Sequence, residues 1–325
     1  MAGSFSNQHS EQLVANLNET SRFLLSRAFS ASTTATYRRA VQLFITFRQE
    51  TSKPLPVYPI SIPNIIQFIS YLYVKSLAAS TISTYIAALA SINKIYKGPA
   101  IFESLLVKKL LIGVHKTRNS VDMRLPIQLD LLCLLVDSTF HISASKHMQL
   151  LLRAMYLLAF HAFLRIGEIA AKNATDSFSP LQFSDVVFLP NTNPTSCFVN
   201  LQKTKNSNCN QSIHLRAVAN TQPLYCPVRA LTDFKQFRGC HEGMFFTLPC
   251  KGPITKQCFN THLARSIAYA GLDPKRYKAH SFRIGAATYA ALRGTPNHTI
   301  QLLGRWKSDA FLKYIRIPNL SNMHK

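Results

Sequence analysis

The chain has 325 residues, enough for two domains and at least one full core. Apolar residues make up 47% and charged residues 16%, which excludes an intrinsically disordered polyelectrolyte. With 37 Lys+Arg against 14 Asp+Glu the net charge is +23, so the expected partner is a polyanion, above all nucleic acid.

Residues 1–20 are polar, carry two acids and neither Lys nor Arg, and read as a flexible N-terminal arm without a secretory or transit signature. Helical periodicity begins at Ser32. In "STTATYRRAVQLFITFRQE" Tyr37, Val41, Phe44 and Phe47 share one face, and Arg38 and Arg39 stand beside it as candidate DNA contacts. The proline-punctuated "KPLPVYPISIP" is a loop. Pro63 then suits the first turn of a helix running to about Lys75. Ser80 is placed to N-cap a further helix with Ile82, Tyr85, Ile86, Leu89 and Ile92 on one face. Residues 21–115 are thus expected to form a small all-helical domain with eleven basic and two acidic residues.

The polar, basic stretch "HKTRNSVDMRLP" holds a linker, placed at 116–126, that would let two lobes open around a rod. The second domain, 127–325, starts with helices at 127–138 and 146–163. The apolar run "MQLLLRAMYLLAFHAFL" contains Arg153 and His161 and reads as a buried core helix, not a membrane span. The period then changes to two: "VVFLP", "CFVNLQ" and "SIHLRAV" are short β-type runs, with a hairpin at about 203–211. Beyond Pro227 the pattern is helical to the end. The expected fold class is mainly α with a small antiparallel β-sheet (α+β), and no internal repeat is present. The seven cysteines show no CxxC spacing, and Cys240–His241 has no partner cluster, so reduced thiols and no zinc site are expected.

Four stretches carry candidate chemistry. In "FHAFLRIGEIA" Arg165 follows the apolar helix, with Glu168 one turn on. This is either an ordinary i,i+3 ion pair or a guanidinium held against a phosphate by a stiff scaffold. In "AHSFRIGAATYAA" His280 and Arg283 share a helical face. Gly285, Ala286 and Ala287 beside them allow close packing or close approach of a ligand backbone. The hairpin "LQKTKNSNCNQSIHL" offers Lys203 and Lys205, either solvated charges or flexible cations that swing towards a phosphate. In "LGRWKSDAFLKYIRIP" the only tryptophan, Trp306, precedes Tyr314 by eight residues, so a continuous helix would bring both to one side.

Together these groups make a phosphoryl-transfer site. Two arginines clamp non-bridging phosphate oxygens, a His helps to deprotonate Tyr, a Lys protonates the departing oxygen, and Tyr makes the covalent bond. Such a set needs no divalent metal or other cofactor, and the chain offers no clear acidic metal cage.

The order Arg165, Lys203, His280–x–x–Arg283, Trp306, Tyr314 resembles the catalytic domain of the tyrosine recombinases, the phage-integrase-like family. "LRIGE", "HSFRIGAAT" and "LGRW…YIR" are similar to recombinases of DIRS-like and Crypton-type mobile elements, and the resemblance covers about residues 30–318. It implies a helical core-binding, SAM-like domain before the catalytic one. Arg165 and Arg283 would be the paired arginines and His280 the HxxR histidine. Trp306 would fill the position taken by His or Trp, Tyr314 would be the nucleophile, and Glu168 would orient its neighbours. Lys203 fits the family's lysine register, with Lys205 as the fallback and Gln202 departing from the usual small polar residue.

The resemblance further implies a site-specific DNA recombinase or integrase. It would work through a 3′-phosphotyrosine intermediate as a homotetramer on two double-stranded DNA duplexes, in the nucleus if the host is eukaryotic and otherwise in the cytoplasm, with no membrane association. Two other readings stand beside it: a type IB topoisomerase, which religates the same strand, and a domesticated, catalytically silent DNA-binding protein.

Overall fold

A computed structural model describes residues 13–14, 16–21, 23–24, 28–51, 57–118, 122–173, 181–201, 211–216, 222–239, 242–250 and 252–317. The chain divides into two compact units, Met1–Asp122 and Met123–Lys325.

In the first unit, helix α1 (Ala31–Glu50) starts where the Ser30 side chain accepts a hydrogen bond from the Thr33 amide, 3.2 Å. Helix α2 (Ile62–Val74) carries its proline in the first turn, as expected from Pro63. Helix α3 (Ala79–Ile95) begins two residues earlier than a Ser80 cap would allow: Ala78 is the N-cap, with no side-chain bond. The earlier start buries Ala79. Helix α4 (Leu105–Thr117) closes the unit. The core is the periodic face read from the sequence: Phe44 and Phe47 of α1 meet Phe68 of α2, and Ile82, Ile86 and Leu89 of α3 are fully buried. One polar group sits inside it. Asn93 accepts from the Ile60 amide at 2.6 Å and donates to the carbonyls of Ile60 and Pro99, so a buried amide satisfies a loop backbone that would otherwise be unpaired.

Two expectations shift here. The described residues between 13 and 20 have helical backbone, with Leu13, Val14 and Leu17 exposed, where the sequence suggests a flexible arm. Residues 116 and 117, placed at the start of the linker, belong to α4, and the Arg118 guanidinium after it donates to the carbonyls of Leu77 and Tyr73. Those carbonyls end helical turns, and a cation there satisfies them.

In the second unit, Leu125 and Ile127 run in extended form, their amides donating to the carbonyls of Arg276 and Ser281. Helices α5 (Leu129–Ile142) and α6 (Lys146–His161) follow. Every residue of α6 from Leu150 to Phe160 is buried. Arg153 is tolerated among them because its guanidinium bonds Asp233 at 2.8 Å and the carbonyls of Pro223 and Leu224 at 2.7 Å each. Strands β1 (Val186–Leu189), β2 (Ser196–Leu201) and β3 (Gln211–Arg216) form an antiparallel sheet in that order, with Val199 opposite both Val186 and Ile213. Burial along β1 and β2 alternates, the period of two that marks a half-buried strand. Helices α7 (Pro227–Arg238), α8 (Lys256–Tyr269), α9 (His280–Leu292) and α10 (Asn297–Leu303) complete the unit.

Gly285 resolves one alternative left by the sequence. A Cβ at that position would overlap the Ile127 carbonyl, so the small residue serves helix packing, not a ligand. The chain after α10 corrects another. No helix spans Trp306 to Tyr314: α10 ends at Leu303, Arg305 adopts a left-handed φ of 56°, and Asp309–Tyr314 is 3₁₀. Among the described residues no helix is long and apolar enough to cross a membrane.

Candidate active site

The stiff end of α6 sets the first charge. After His161 the chain turns through Phe163, at φ 50°, and reaches the 3₁₀ turn Ile166–Glu168. The Arg165 amide donates to Glu168 Oε2 at 2.9 Å, and its guanidinium donates to Oε1 at 3.1 Å. The i,i+3 ion pair is present, and Arg165 also lines a cleft. Glu168 is buried and shared. Its Oε2 also accepts from Arg305 Nη2 at 3.0 Å, and Arg305 donates onward to the carbonyls of Ala162 and Phe163. One carboxylate thus joins the turn after α6 to the segment after α10.

Helix α9 supplies His280 in its first turn and Arg283 one turn later. The His280 and Tyr314 rings lie 4.9 Å apart, and Trp306 lies 5.0 Å from Tyr314. Thr288, on the same helix, donates to the Tyr314 carbonyl at 3.1 Å and accepts from the Arg316 amide at 3.0 Å. Trp306 and Tyr314 therefore meet without the helix expected between them. Trp306 folds back over Gly304, where any Cβ would collide with the indole. Its Nε1–H is buried and has no hydrogen-bond partner among the described residues.

A cleft of about 670 Å³ opens over these groups. Arg165, His280, Trp306 and Tyr314 line it, together with Lys256, Lys278 and Lys307. Among the described residues lining it there is no carboxylate. Arg283 is different: it is fully buried, does not line the cleft, and spends its two terminal nitrogens on the carbonyls of Phe163 and Gly304. Its guanidinium lies 4.1 Å from the Trp306 ring and 5.8 Å from the Tyr314 ring. Burial, then the cations of Arg165 and Arg305, push it down to about 9, so it stays charged at neutral pH. Of the two arginines expected to form a clamp, Arg165 lines the cleft and Arg283 is buried against Trp306.

Lys203 and Lys205 lie outside the described residues. Arg38 and Arg39 are exposed on α1 of the first unit. Two residues of the site carry no signal in the sequence. Arg305 sits inside the "LGRW" motif, but its partner Glu168 is 137 residues away. Lys256 opens a helix whose own sequence shows only a threonine cap.

Residues 21–95 match the family described as "Phage integrase, N-terminal SAM-like domain". No curated protein matches the sequence. Solved structures similar to the chain include a lambda integrase dimer bound to a COC′ core site, at TM-score 0.60 and 15% identity, covering 94% of this chain and 77% of that one. A second is the XerH site-specific recombinase in a post-cleavage complex with palindromic difH substrate, at TM-score 0.58 and 16% identity, covering 86% and 74%. A third is the Tn1549 transposon integrase in complex with transposon right end DNA, at TM-score 0.57 and 13% identity, covering 90% and 91%. The fold is the one shared by these integrases and this recombinase. Residues 21–95 match the phage-integrase N-terminal SAM-like domain.

Proposed function

We propose that the protein is a site-specific DNA recombinase that cleaves and rejoins strands through Tyr314. The observation that carries this reading is the cleft itself, where a tyrosine stands among Arg165, His280 and three lysines with no lining carboxylate among the described residues. A phosphodiester is the substrate class such a site suits, because its single negative charge grows more concentrated on the non-bridging oxygens as attack proceeds. The Tyr314 oxygen attacks phosphorus and its proton passes to His280. The bond to the 5′ oxygen breaks, and that oxygen takes a proton from a lysine, assigned by the family resemblance to Lys203 with Lys205 as the fallback. The products are a 3′-phosphotyrosine and a free 5′-hydroxyl. A 5′-hydroxyl from a second strand reverses the step, and no ATP is consumed because the phosphodiester energy is kept.

Arg165 binds the phosphate in this scheme, while Arg283 sets the Trp306–Tyr314 wall from below and supplies charge at short range. Glu168 orients Arg165 and Arg305. Exchange of strands between two duplexes implies a homotetramer on double-stranded DNA. The "HSFRIGAAT" and "LGRW…YIR" wording favours an integrase of a DIRS-like or Crypton-type mobile element, acting in the nucleus. Arg38 and Arg39 contribute phosphate contacts from the helical domain.

The test is a nicked suicide substrate built from the element's own termini, run with one duplex and with two. A covalent adduct at Tyr314 and joined products from two duplexes support the reading. Relaxation of supercoils without intermolecular joining would favour a topoisomerase, and DNA binding without any adduct would favour a silent binding protein.

A further inference from the structure

The cleft holds a cation that none of the sequence motifs assigns. Lys256 is the first residue of α8, a 14-residue helix whose Thr255 cap accepts from the Cys258 amide at 3.1 Å. Its backbone is tied to the segment just beyond the Arg165–Glu168 turn. The Lys256 amide donates to the Ala171 carbonyl at 2.9 Å, and the Ala171 amide donates to the Ile254 carbonyl at 2.9 Å. The side chain then lies over Gly167, two residues from Arg165: a Cβ added at Gly167 would stand 2.8 Å from Lys256 Nζ and 2.9 Å from Cε. A side chain at position 167 would push the end of the lysine out of this place.

Lys256 is half-buried, and among the described residues its ammonium has no carboxylate or hydrogen-bond partner. A half-buried lysine that lines a cleft and carries no ion-pair partner is placed to meet an anionic ligand there. Lys278 and Lys307 line the same cleft but are exposed, as solvated lysines are. Arg283 has already given its terminal nitrogens to two carbonyls. The cations that the fold holds at the cleft surface are therefore Arg165 and Lys256, and both are carried by the same stretch of hydrogen-bonded backbone.

We propose that Lys256 is a phosphate-contacting residue, donating to a non-bridging oxygen of the same phosphate that Arg165 binds. This deepens the strand-cleavage reading and rests on it. Lys256 takes no proton from Tyr314 and gives none to the leaving oxygen: its part is to hold and neutralise charge on phosphorus-bound oxygen.

The test uses the full chain in two assays. In the first, emission from Trp306, the only tryptophan, is followed during titration with inorganic phosphate. Lys256→Ala is expected to weaken phosphate binding by roughly 10- to 100-fold, the size of one charge-assisted hydrogen bond. Lys256→Arg restores most of it, and Lys146→Ala, which removes the same charge from the exposed start of α6, changes nothing. In the second, cleavage is measured on suicide substrates with three scissile groups. Lys256→Ala slows cleavage of the ordinary phosphodiester, the defect shrinks on a methylphosphonate, which lacks the charge to be neutralised, and it persists on a 5′-bridging phosphorothiolate. Unchanged phosphate binding in Lys256→Ala would overturn the proposal, and so would rescue by the phosphorothiolate, which would mark a general acid instead. Failure of the wild type to form any adduct would sink the strand-cleavage reading alone, because the phosphate titration still decides whether Lys256 binds the anion.

Discussion

The two walls of the cleft are built in different ways. One wall runs from the end of α6 through Glu168 to the first turns of α8 and α9. It rests on a helix buried over eleven consecutive residues, and backbone hydrogen bonds fix Ala171 and Lys256 to each other. The other wall, Gly304 to Tyr314, has a left-handed residue at Arg305, a short helix before it and a 3₁₀ stretch after it. Side chains hold this second wall: Arg305 on Glu168, Arg283 on the Gly304 carbonyl, and Thr288 on the Tyr314 carbonyl. Arg165 and Lys256 stand on the rigid wall, and Tyr314 stands on the wall that a few polar contacts position. Placement of Tyr314 is therefore expected to respond to single substitutions more than placement of Arg165.

The largest expected effect bears on the second wall. Tyr314→Phe keeps the ring and removes one oxygen, so the protein folds and binds DNA, yet covalent adducts vanish on a denaturing gel. Tyr289→Phe is the companion variant: Tyr289 lies on α9 against Phe160, away from the cleft lining, and its loss leaves adduct formation intact. An adduct that survives in Tyr314→Phe would erase the distinction between the walls.

Next come the arginines. Arg165→Ala and Arg283→Ala each slow cleavage by roughly 10²-fold or more, the scale of removing a preorganised donor. Their stabilities should part. Arg283→Ala takes away the donor of the Gly304 carbonyl, leaves the Phe163 carbonyl to Arg305 alone, and costs roughly 2–5 kcal/mol. Arg165→Ala costs less, because Glu168 keeps Arg305 as its partner. Thermal melts decide it: equal destabilisation would mean that Arg283 is not the deeper support of the pair.

Thr288→Val is nearly isosteric and cuts both ties between α9 and the Tyr314–Arg316 backbone. It should cost about 1–3 kcal/mol and lower the cleavage rate with little change in DNA affinity. An unchanged rate at reduced stability would show that the second wall keeps its tyrosine in place without that threonine. The smallest effect lies outside the cleft. Replacing Arg38 and Arg39 with alanine weakens duplex binding without sequence preference and lowers the salt slope by about 0.9 for each phosphate that is no longer neutralised. A wild-type slope would remove α1 from the DNA-facing surface.

Much of the rigid wall, and of the fold outside the cleft, is legible in the sequence, because local rules write it. The apolar run of α6, the alternation of β1 and β2, Pro63 at a first helical turn and the His280–Arg283 spacing all follow from period and propensity. The adjustable wall is less so. A spacing of eight between Trp306 and Tyr314 fits a helix, but the left-handed turn at Arg305 and the indole folded over Gly304 replace it with a tighter path. Ser80 looks like a cap, yet burial of Ala79 starts the helix sooner. Arg305 and Lys256 are unreadable because their meaning lies in Glu168 and Gly167, far away along the chain. The HxxR spacing puts His280 and Arg283 on one helical face, and only tertiary packing buries Arg283 against Trp306.

The contact between Gly285 and the Ile127 carbonyl bears on how such a gene decays. That glycine answers to the folded state alone, since it meets backbone and no substrate. Tyr314 answers to chemistry, since its ring packs as well without the hydroxyl. A descendant copy kept as a folded DNA-binding protein after strand cleavage was abandoned would drift at position 314 while holding glycine at 285. A copy under no selection at all would lose both at the neutral rate. The two codons, read together across copies, separate reuse from ruin.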